Sequence, residues 1–443
     1  MFLPTLLFSY IAKLILILIR VTRLGNGTTF AGLMVENYFP QMVAELVKNT
    51  DKVILITGTN GKTTTRSILV TIFEDNGIMV CSNRGGANIY RGVASALLFN
   101  WNWLGQPMAK TLILEVEEAT MPKITKYIKP DQIIITNIFR DQLDAYGEIN
   151  QTLAYFRTAI EQTDAEIIIN ADDHKLLSIV SGADLSNRKI SGFSVQDKDI
   201  KMLDFEKTST KYKIPFYNSI TATNIHTKNF QNNIYITWSE KNQGSYHILV
   251  KSNLMGTYNV YNTLAALNAT LPQLGKNAFK SIEKTQPVFG RGEKIIYRNK
   301  EIWLFLVKNP VGMNQVCDLI NDNFGNENLK VNILINDKIA DGRDVSWLWD
   351  CKIEEMIQLH PQFEFSTAGR RGLDMLLRLE MAGADVKPEY NYETITKLLE
   401  KRIYKINLNP EKHIILATYT AMLEVRRALA ERVELPNMNS KGN

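Results

Sequence analysis

The stretch Val53-Ile54-Leu55-Ile56-Thr57-Gly58-Thr59-Asn60-Gly61-Lys62-Thr63-Thr64-Thr65 decides the fold. Its opening VILIT run is uncharged and rich in β-branched residues, which reads as a strand buried on both faces. The continuation TRSILVTIFEDNG carries apolar residues at helical spacing and ends on Asn76-Gly77, a turn signal. A glycine-bracketed loop between a buried strand and a helix is where a phosphate loop has to sit. Gly58 and Gly61 let backbone N–H groups of Thr59, Asn60 and Thr64 approach an anion, Lys62 supplies a point charge to the β- and γ-phosphates, and the Thr63 hydroxyl suits Mg²⁺. The spacing is shorter than the common GxxxxGK[ST] form.

Working outward, TLILEV from Thr111, QIIITN from Gln132 and AEIIIN from Ala165 alternate with helical stretches, the rhythm of βαβ units around a parallel sheet. Between about Asp199 and Val250 the texture becomes polar and Thr- and Asn-rich, which predicts antiparallel hairpins inserted into or appended to that unit. Beyond the Gly290-Arg291-Gly292 turn a second series follows: IWLFLVKNP, VNILIND, FEFST and HIILATYT, each followed or preceded by a helical pattern. The expected class is α/β, with an N-terminal helical segment over 1–50, a central nucleotide-binding domain over 51–295 and a C-terminal Rossmann-like α/β domain over 296–443.

The chain has 443 residues, enough for roughly three domains of about 150 residues. A formal net charge of +5 falls short of the clustered basic field of a nucleic-acid binder, and an anionic small molecule or anionic membrane surface fits better. Cys81, Cys317 and Cys351 are odd in number and widely spaced, which supports neither a disulfide framework nor a zinc cluster and suits a reducing, cytoplasmic compartment. The N-terminal MFLPTLLFSYIAKLILILIR is interrupted by Lys13 and Arg20, so its apolar run stays below the roughly 18 residues needed to span a bilayer. Lys13, Arg20 and Arg23 fall near one face of a helix, leaving two readings: packing on the protein's own core, or contact with a membrane surface.

The GTNGKTTT loop resembles that of the Mur ligases and folylpolyglutamate synthases, enzymes that activate a carboxylate as an acyl phosphate before a nitrogen nucleophile attacks. LEVEE at 114–118, TNIFRDQLD at 136–144, NADD at 170–173, GTYNVYN at 256–262 and GRGE at 290–293 agree with it in order and spacing. The resemblance implies an ATP-dependent ligase with a P-loop central domain. Glu115, at a strand's carboxyl edge, would complete the Mg²⁺ shell begun by Thr63. Asn262 would face the adenine or ribose, the plain alternative being a helix cap. Arg291 would reach the phosphates from a hinge between domains, against the alternative of a surface arginine. Asp141-Gln142 stands where many Mur ligases have Asp-His; Gln is a poorer ligand for a second metal.

The C-terminal half is similar to MurT-type subunits of lipid II isoglutaminyl synthase, through VKNPVGMN at 307–314, ND at 336–337 with ADGRDVSWLWD at 340–350, GRR at 369–371 and ATYTAML at 417–423. That likeness implies amidation of the D-glutamate α-carboxylate of the lipid II stem peptide at the inner face of the cell membrane. It also implies a GatD-type glutaminase partner, because no cysteine here lies in a Gly-x-Cys-x-Gly elbow. An Asp of this half would orient the partner's Cys-His pair; Asp350 and then Asp344 are the candidates, with capping of the helix beginning near Lys352 as the plain reading of either. MurT-type chains carry four cysteines of a zinc ribbon in the middle domain, and the 199–250 stretch has none, so no zinc is expected. Two other readings stand beside this one: an amino-acid-adding ligase, and a nucleotide-gated binding subunit.

Overall fold

The structure is a computed structural model and describes residues 10, 30–83, 87–139, 148–182, 188–197, 212, 214–228, 231–240, 244–287, 290–324, 327–407 and 409–435. Two sheets organise it. The first has nine strands, β1 (Lys52–Thr57), β2 (Val80–Ser82), β3 (Thr111–Glu115), β4 (Gln132–Ile135), β5 (Glu166–Asn170), β6 (Ile190–Val195), β7 (Asn218–Lys228), β8 (Gln231–Glu240) and β9 (Gly244–Ser252), ordered β2-β3-β1-β4-β5-β6-β7-β8-β9. Pairing is parallel from β2 through β7 and antiparallel across β7, β8 and β9. The polar stretch expected as hairpins therefore extends the main sheet from its β6 edge; residues 198–211 lie outside the described residues. Alternation explains why its strands read as polar: Ile234, Ile236 and Trp238 are buried, while Tyr235 between them is exposed.

Strands β1, β3, β4 and β5 are buried on both faces, as their unbroken Ile, Leu and Val runs require. One face packs under the helix Tyr90–Phe99 and the short N-terminal helices Phe30–Tyr38 and Met42–Val47, and the other under the helices Lys62–Asp75 and Thr257–Leu274. Because β1 is central, the loop that leaves its carboxyl end emerges mid-sheet, between β3 and β4.

The second sheet has β10 (Arg291–Tyr297), β11 (Lys300–Leu306), β12 (Leu329–Leu334), β13 (Glu364–Ala368), β14 (Asn391–Tyr392) and β15 (Glu411–Ala417) in the order β10-β11-β15-β12-β13-β14, parallel except for β10. The boundary expected between 295 and 296 falls inside β10, which pairs with β11, so the second sheet begins at Arg291. The register with β11 shifts between Arg291 and Glu293, an irregularity at the start of β10. Among the described residues no helix is long and apolar enough to cross a membrane. Of the N-terminal segment 1–50, residues 30–50 hold the helices Phe30–Tyr38 and Met42–Val47, whereas Lys13, Arg20 and Arg23 lie outside the described residues; Tyr10 stacks on Trp103 at 5.6 Å.

Candidate active site

The loop Gly58–Gly61 leaves β1 and enters the helix Lys62–Asp75 with Gly61 as its N-cap. Gly58 and Gly61 take φ of +121° and +88°, and a Cβ on Gly61 would lie 2.2 Å from Asn262 Oδ1. Glycine is thus demanded twice, by backbone conformation and by the close approach of Asn262. The TNIF stretch holds the loop from the β4 side: Thr136 Oγ1 donates to Asn60 O at 2.7 Å, and Asn137 Oδ1 accepts from Asn60 N at 2.9 Å. Asn60 Nδ2 is buried with no hydrogen-bond partner, an orphan donor at the loop.

Lys62 is folded back into the loop, its Nζ bonded to Gly58 O and at 2.8 Å from Glu118 Oε1. Thr63 Oγ1 donates to Glu115 Oε1 at 3.0 Å, which brings together the two residues expected to share a cation. Glu115 is 3 % exposed, and its Oε2 has no hydrogen-bond partner although Arg66 Nε stands 3.7 Å away. A buried carboxylate oxygen left open beside a threonine hydroxyl fits a hard divalent cation, which Glu115 and Thr63 would hold. Asp141 and Gln142, considered for a second metal, lie outside the described residues.

Asn262 is buried in the second turn of the helix Thr257–Leu274, where it accepts from Thr65 Oγ1 at 3.3 Å and donates to Asn259 at 3.2 Å. It caps nothing: the N-cap is Gly256. Arg291 is half-buried, not a free surface residue, and its guanidinium donates to Thr64 Oγ1 at 2.8 Å across the two sheets. Burial lowers the pKa of both Arg291 and Arg66, with Glu115 opposing each shift; the charge of Arg291 reinforces the shift of Arg66, and Tyr258 further opposes that of Arg291. One buried and one half-buried guanidinium beside a single carboxylate leave positive potential unspent, a setting that favours phosphate.

The second sheet contributes more than Arg291. Lys308 Nζ reaches to 3.5 Å from Thr59 O, and Asn309 Nδ2 to 3.3 Å from Asn60 Oδ1. Asn309 also caps the helix Pro310–Phe324 through Gly312 N at 2.8 Å. Asn60, Thr64, Tyr258, Asn262, Arg291 and Lys308 line one cleft between the sheets. Sequence reasoning gave no role to Arg66, Glu118 or Lys308. Glu118 ends the LEVEE motif, Lys308 lies within VKNPVGMN and Arg66 follows the glycine loop, but nothing in the sequence places Lys308, after a strand of the other sheet, beside that loop.

The NADD motif is structural. Asp173 caps the helix His174–Gly182 and accepts from Ile138 N at 2.8 Å, with burial pushing its pKa up to about 6 against those backbone bonds. Asp172 accepts from Tyr261 OH at 2.8 Å and from Val195 N. The two carboxylates tie the ends of β4, β5 and β6 to the Thr257–Leu274 helix.

Asp344 and Asp350 lie on the far domain, and neither caps the helix Ile353–Leu359, whose N-cap is Lys352. Asp344 is committed locally: its Oδ1 accepts from Ser346 N at 2.8 Å and Ser346 Oγ at 2.6 Å, bonds that lower its pKa. Asp350 ends the 3₁₀ turn Ser346–Asp350 with its side chain exposed, next to Trp349, which is 49 % exposed. Beneath Trp349 the Arg378 guanidinium lies 5.7 Å from the ring, and on the same helix as Arg378, Leu373, Leu377 and Met381 form an exposed stripe at i, i+4, i+8.

A strand–phosphate-loop–helix at the centre of a parallel sheet, facing a second α/β domain that sends an arginine and a lysine into the loop, defines an ATP-dependent ligase of the Mur type. Residues 56–270 match the family model of the Mur ligase middle domain and residues 306–422 that of the MurT ligase C-terminal domain. MurF from Acinetobacter baumannii superposes with a TM-score of 0.68 at 19 % identity over 92 % of this chain and 80 % of that one, and MurF from Thermotoga maritima in complex with ADP with a TM-score of 0.61 at 14 % identity over 89 % and 84 %. The MurT subunit of lipid II isoglutaminyl synthase (glutamine-hydrolyzing) from Streptococcus pneumoniae is 31 % identical over 93 % of this chain and 94 % of its own length. That from Staphylococcus aureus (strain COL) is 25 % identical over 94 % of each. The chain belongs to the MurT family.

Proposed function

We propose that this protein amidates the D-glutamate α-carboxylate of the lipid II stem peptide to D-isoglutamine, as the synthetase subunit beside a GatD-type glutaminase, in peptidoglycan synthesis at the inner membrane face. The observation that carries the reading is the likeness to MurT subunits along nearly the whole chain, the C-terminal half included. A carboxylate resists nucleophiles until it bears a good leaving group. Its oxygen attacks the γ-phosphorus of ATP, ADP departs, and the acyl phosphate forms; ammonia then adds to the carbonyl carbon, inorganic phosphate leaves, and a proton is lost from nitrogen.

The residues divide that work. The N–H groups around Gly58, Thr59, Asn60 and Gly61, with Thr64, cradle the phosphates, and Lys62 exchanges its bond to Glu118 for the transferring phosphoryl group. Thr63 and Glu115 would hold Mg²⁺, which when bound offsets charge between the phosphates. Asn262 positions the loop from below and borders the nucleotide cleft. Arg291 and Lys308 add positive charge from the second domain, so the charge is complete only when the domains are together. Asp350 completes the partner's Cys-His pair, supported by its exposure beside Trp349 and the Leu373–Leu377–Met381 stripe, an apolar face suited to a protein partner.

The test is phosphate release from ATP by the purified chain with lipid II, with and without ammonium, alongside mass spectrometry of the stem peptide. Ammonium-dependent turnover with conversion of acid to amide is expected. Turnover with a free amino acid instead of ammonium, or phosphate release without an amide product, would refute the assignment.

A further inference from the structure

The segment between the helix Tyr90–Phe99 and β3 carries Trp103, Leu104 and Met108 at 52 %, 85 % and 56 % exposure. Three large apolar side chains in six residues, held out in water, need a reason. The backbone beneath them is built to be rigid. Asn102 N donates to Gln106 O at 2.8 Å, Asn102 Oδ1 accepts from Leu104 N at 2.8 Å and Gln106 N at 3.0 Å, and Gly105 N donates to Asn102 O. The base is clamped as well: Asn100 exchanges two side-chain hydrogen bonds with the Ala109 backbone, and buried Trp101 donates from its indole to Leu46 O at 2.9 Å.

Those bonds matter because the cost of moving a loop into an apolar medium is set by its unpaired backbone groups. Here the N–H groups of Asn102, Leu104, Gly105 and Gln106 are already paired within the loop. The tip can therefore leave water at little cost, while Trp103 is of the residue type that favours the boundary between headgroups and acyl chains. Tyr10 stacks on Trp103 and donates to its carbonyl, so one aromatic residue of the N-terminal sequence meets the same tip. Residues 1–29 contain Lys13, Arg20 and Arg23 and no acidic residue, within an otherwise apolar and uncharged sequence. Exposed apolar side chains, with an N-terminal sequence whose only charges are basic, suit an anionic lipid surface better than a protein face of mixed charge.

We infer that the Asn102–Met108 loop, Trp103 and Leu104 foremost, is a membrane-interface wedge that seats the central domain on an anionic bilayer. It lies apart from the phosphate loop, so it stands or falls independently of the chemistry proposed above.

The experiment is co-sedimentation of the full chain with vesicles of phosphatidylglycerol and phosphatidylethanolamine, compared with the Trp103→Ser/Leu104→Ser double variant. Losing two buried side chains should lower the partition coefficient by at least about tenfold, and 0.5 M salt should weaken the wild type. Brominated lipid provides a second readout: it should quench wild-type tryptophan fluorescence, and the Trp103→Phe variant should lose most of that quenching while still binding. Equal partitioning of the double variant and the wild type overturns the inference. So does unchanged vesicle binding accompanied by altered self-association, which would make the tip a protein contact, or by slower turnover of detergent-solubilised lipid II, which would assign it to the substrate's prenyl chain.

Discussion

Lys62 sits where its ammonium holds the loop closed on itself through Gly58 O and Glu118, and in the proposed mechanism the same ammonium turns to the γ-phosphate for transfer. Lys62→Ala should leave the thermal midpoint within a few degrees but lower ammonium-dependent phosphate release at least about 10²-fold, the usual scale for removing one preorganised charge from a transition state. Retained turnover in that assay would remove Lys62 from the mechanism. Gly61 is constrained differently. With φ at +88° and Asn262 Oδ1 2.2 Å from the position of a Cβ, Gly61→Ala should cost about 1–3 kcal/mol in denaturant unfolding and weaken nucleotide binding together. An alanine variant with native stability would mean that Asn262 yields easily.

Two aspartates at the two ends of one turn set stability apart from the proposed partnership. Asp344, just before the turn Ser346–Asp350, anchors its start by two bonds from Ser346, whereas Asp350 at its end is exposed. Asp344→Ala should therefore destabilise the fold by about 1 kcal/mol, the scale of a lost cap, and impair ammonium- and glutamine-driven synthesis no more than that loss explains. Its lowered pKa means that this contribution is present above the ordinary carboxylate range and is lost as pH falls through the folded value. Asp350→Asn should leave both stability and ammonium-driven synthesis unchanged, yet reduce glutamine-driven synthesis with the glutaminase present by about 10²-fold or more. Equal losses in the two assays would place Asp350 at the ligase site and not at the partner's.

At the scale of the whole molecule, charge is buried at one end of the second sheet, where β11, β15 and β12 begin. Glu411 receives the ammonium groups of Lys300 and Lys330, which, against the opposing effect of burial, hold its carboxyl far below the usual range. Neighbouring His413 is fully buried, and desolvation lowers its pKa to about 4, Glu411 opposing and both lysines reinforcing the shift. A histidine kept neutral in the fold and free to protonate when unfolded contributes stability above about pH 6.5 that is lost as pH falls toward 4. Denaturant midpoints measured from pH 7 to pH 4 should fall, and His413→Leu should flatten the upper part of that slope, before the Glu411 pair begins to titrate. Asp173 works in the opposite sense: its raised pKa gives stability that is full below about pH 4 and lost as pH rises to about 6. An unchanged slope in the leucine variant would assign the acid sensitivity to the carboxylates alone.

The strands were legible in the sequence because local chemistry writes them: unbroken Ile and Leu runs mark β1, β4 and β5, and alternation marks β8. The strand–glycine-loop–helix geometry was equally legible, since Gly58, Gly61, Lys62 and Thr63 fall within one short stretch where spacing dictates conformation. Glu115 and Thr63, 52 residues apart, were paired by expectation and meet at 3.0 Å because β3 lies directly beside β1. What the tertiary structure alone decided is everything that crosses between elements remote in sequence. It made Asn262 a floor beneath Gly61 and not a helix cap, carried Lys308 to the loop from the second sheet, moved the sheet boundary to Arg291, and left Asp350 exposed while tying up Asp344. These depend on which surfaces of two domains face each other, a property of packing and chain topology that no local pattern of residues encodes.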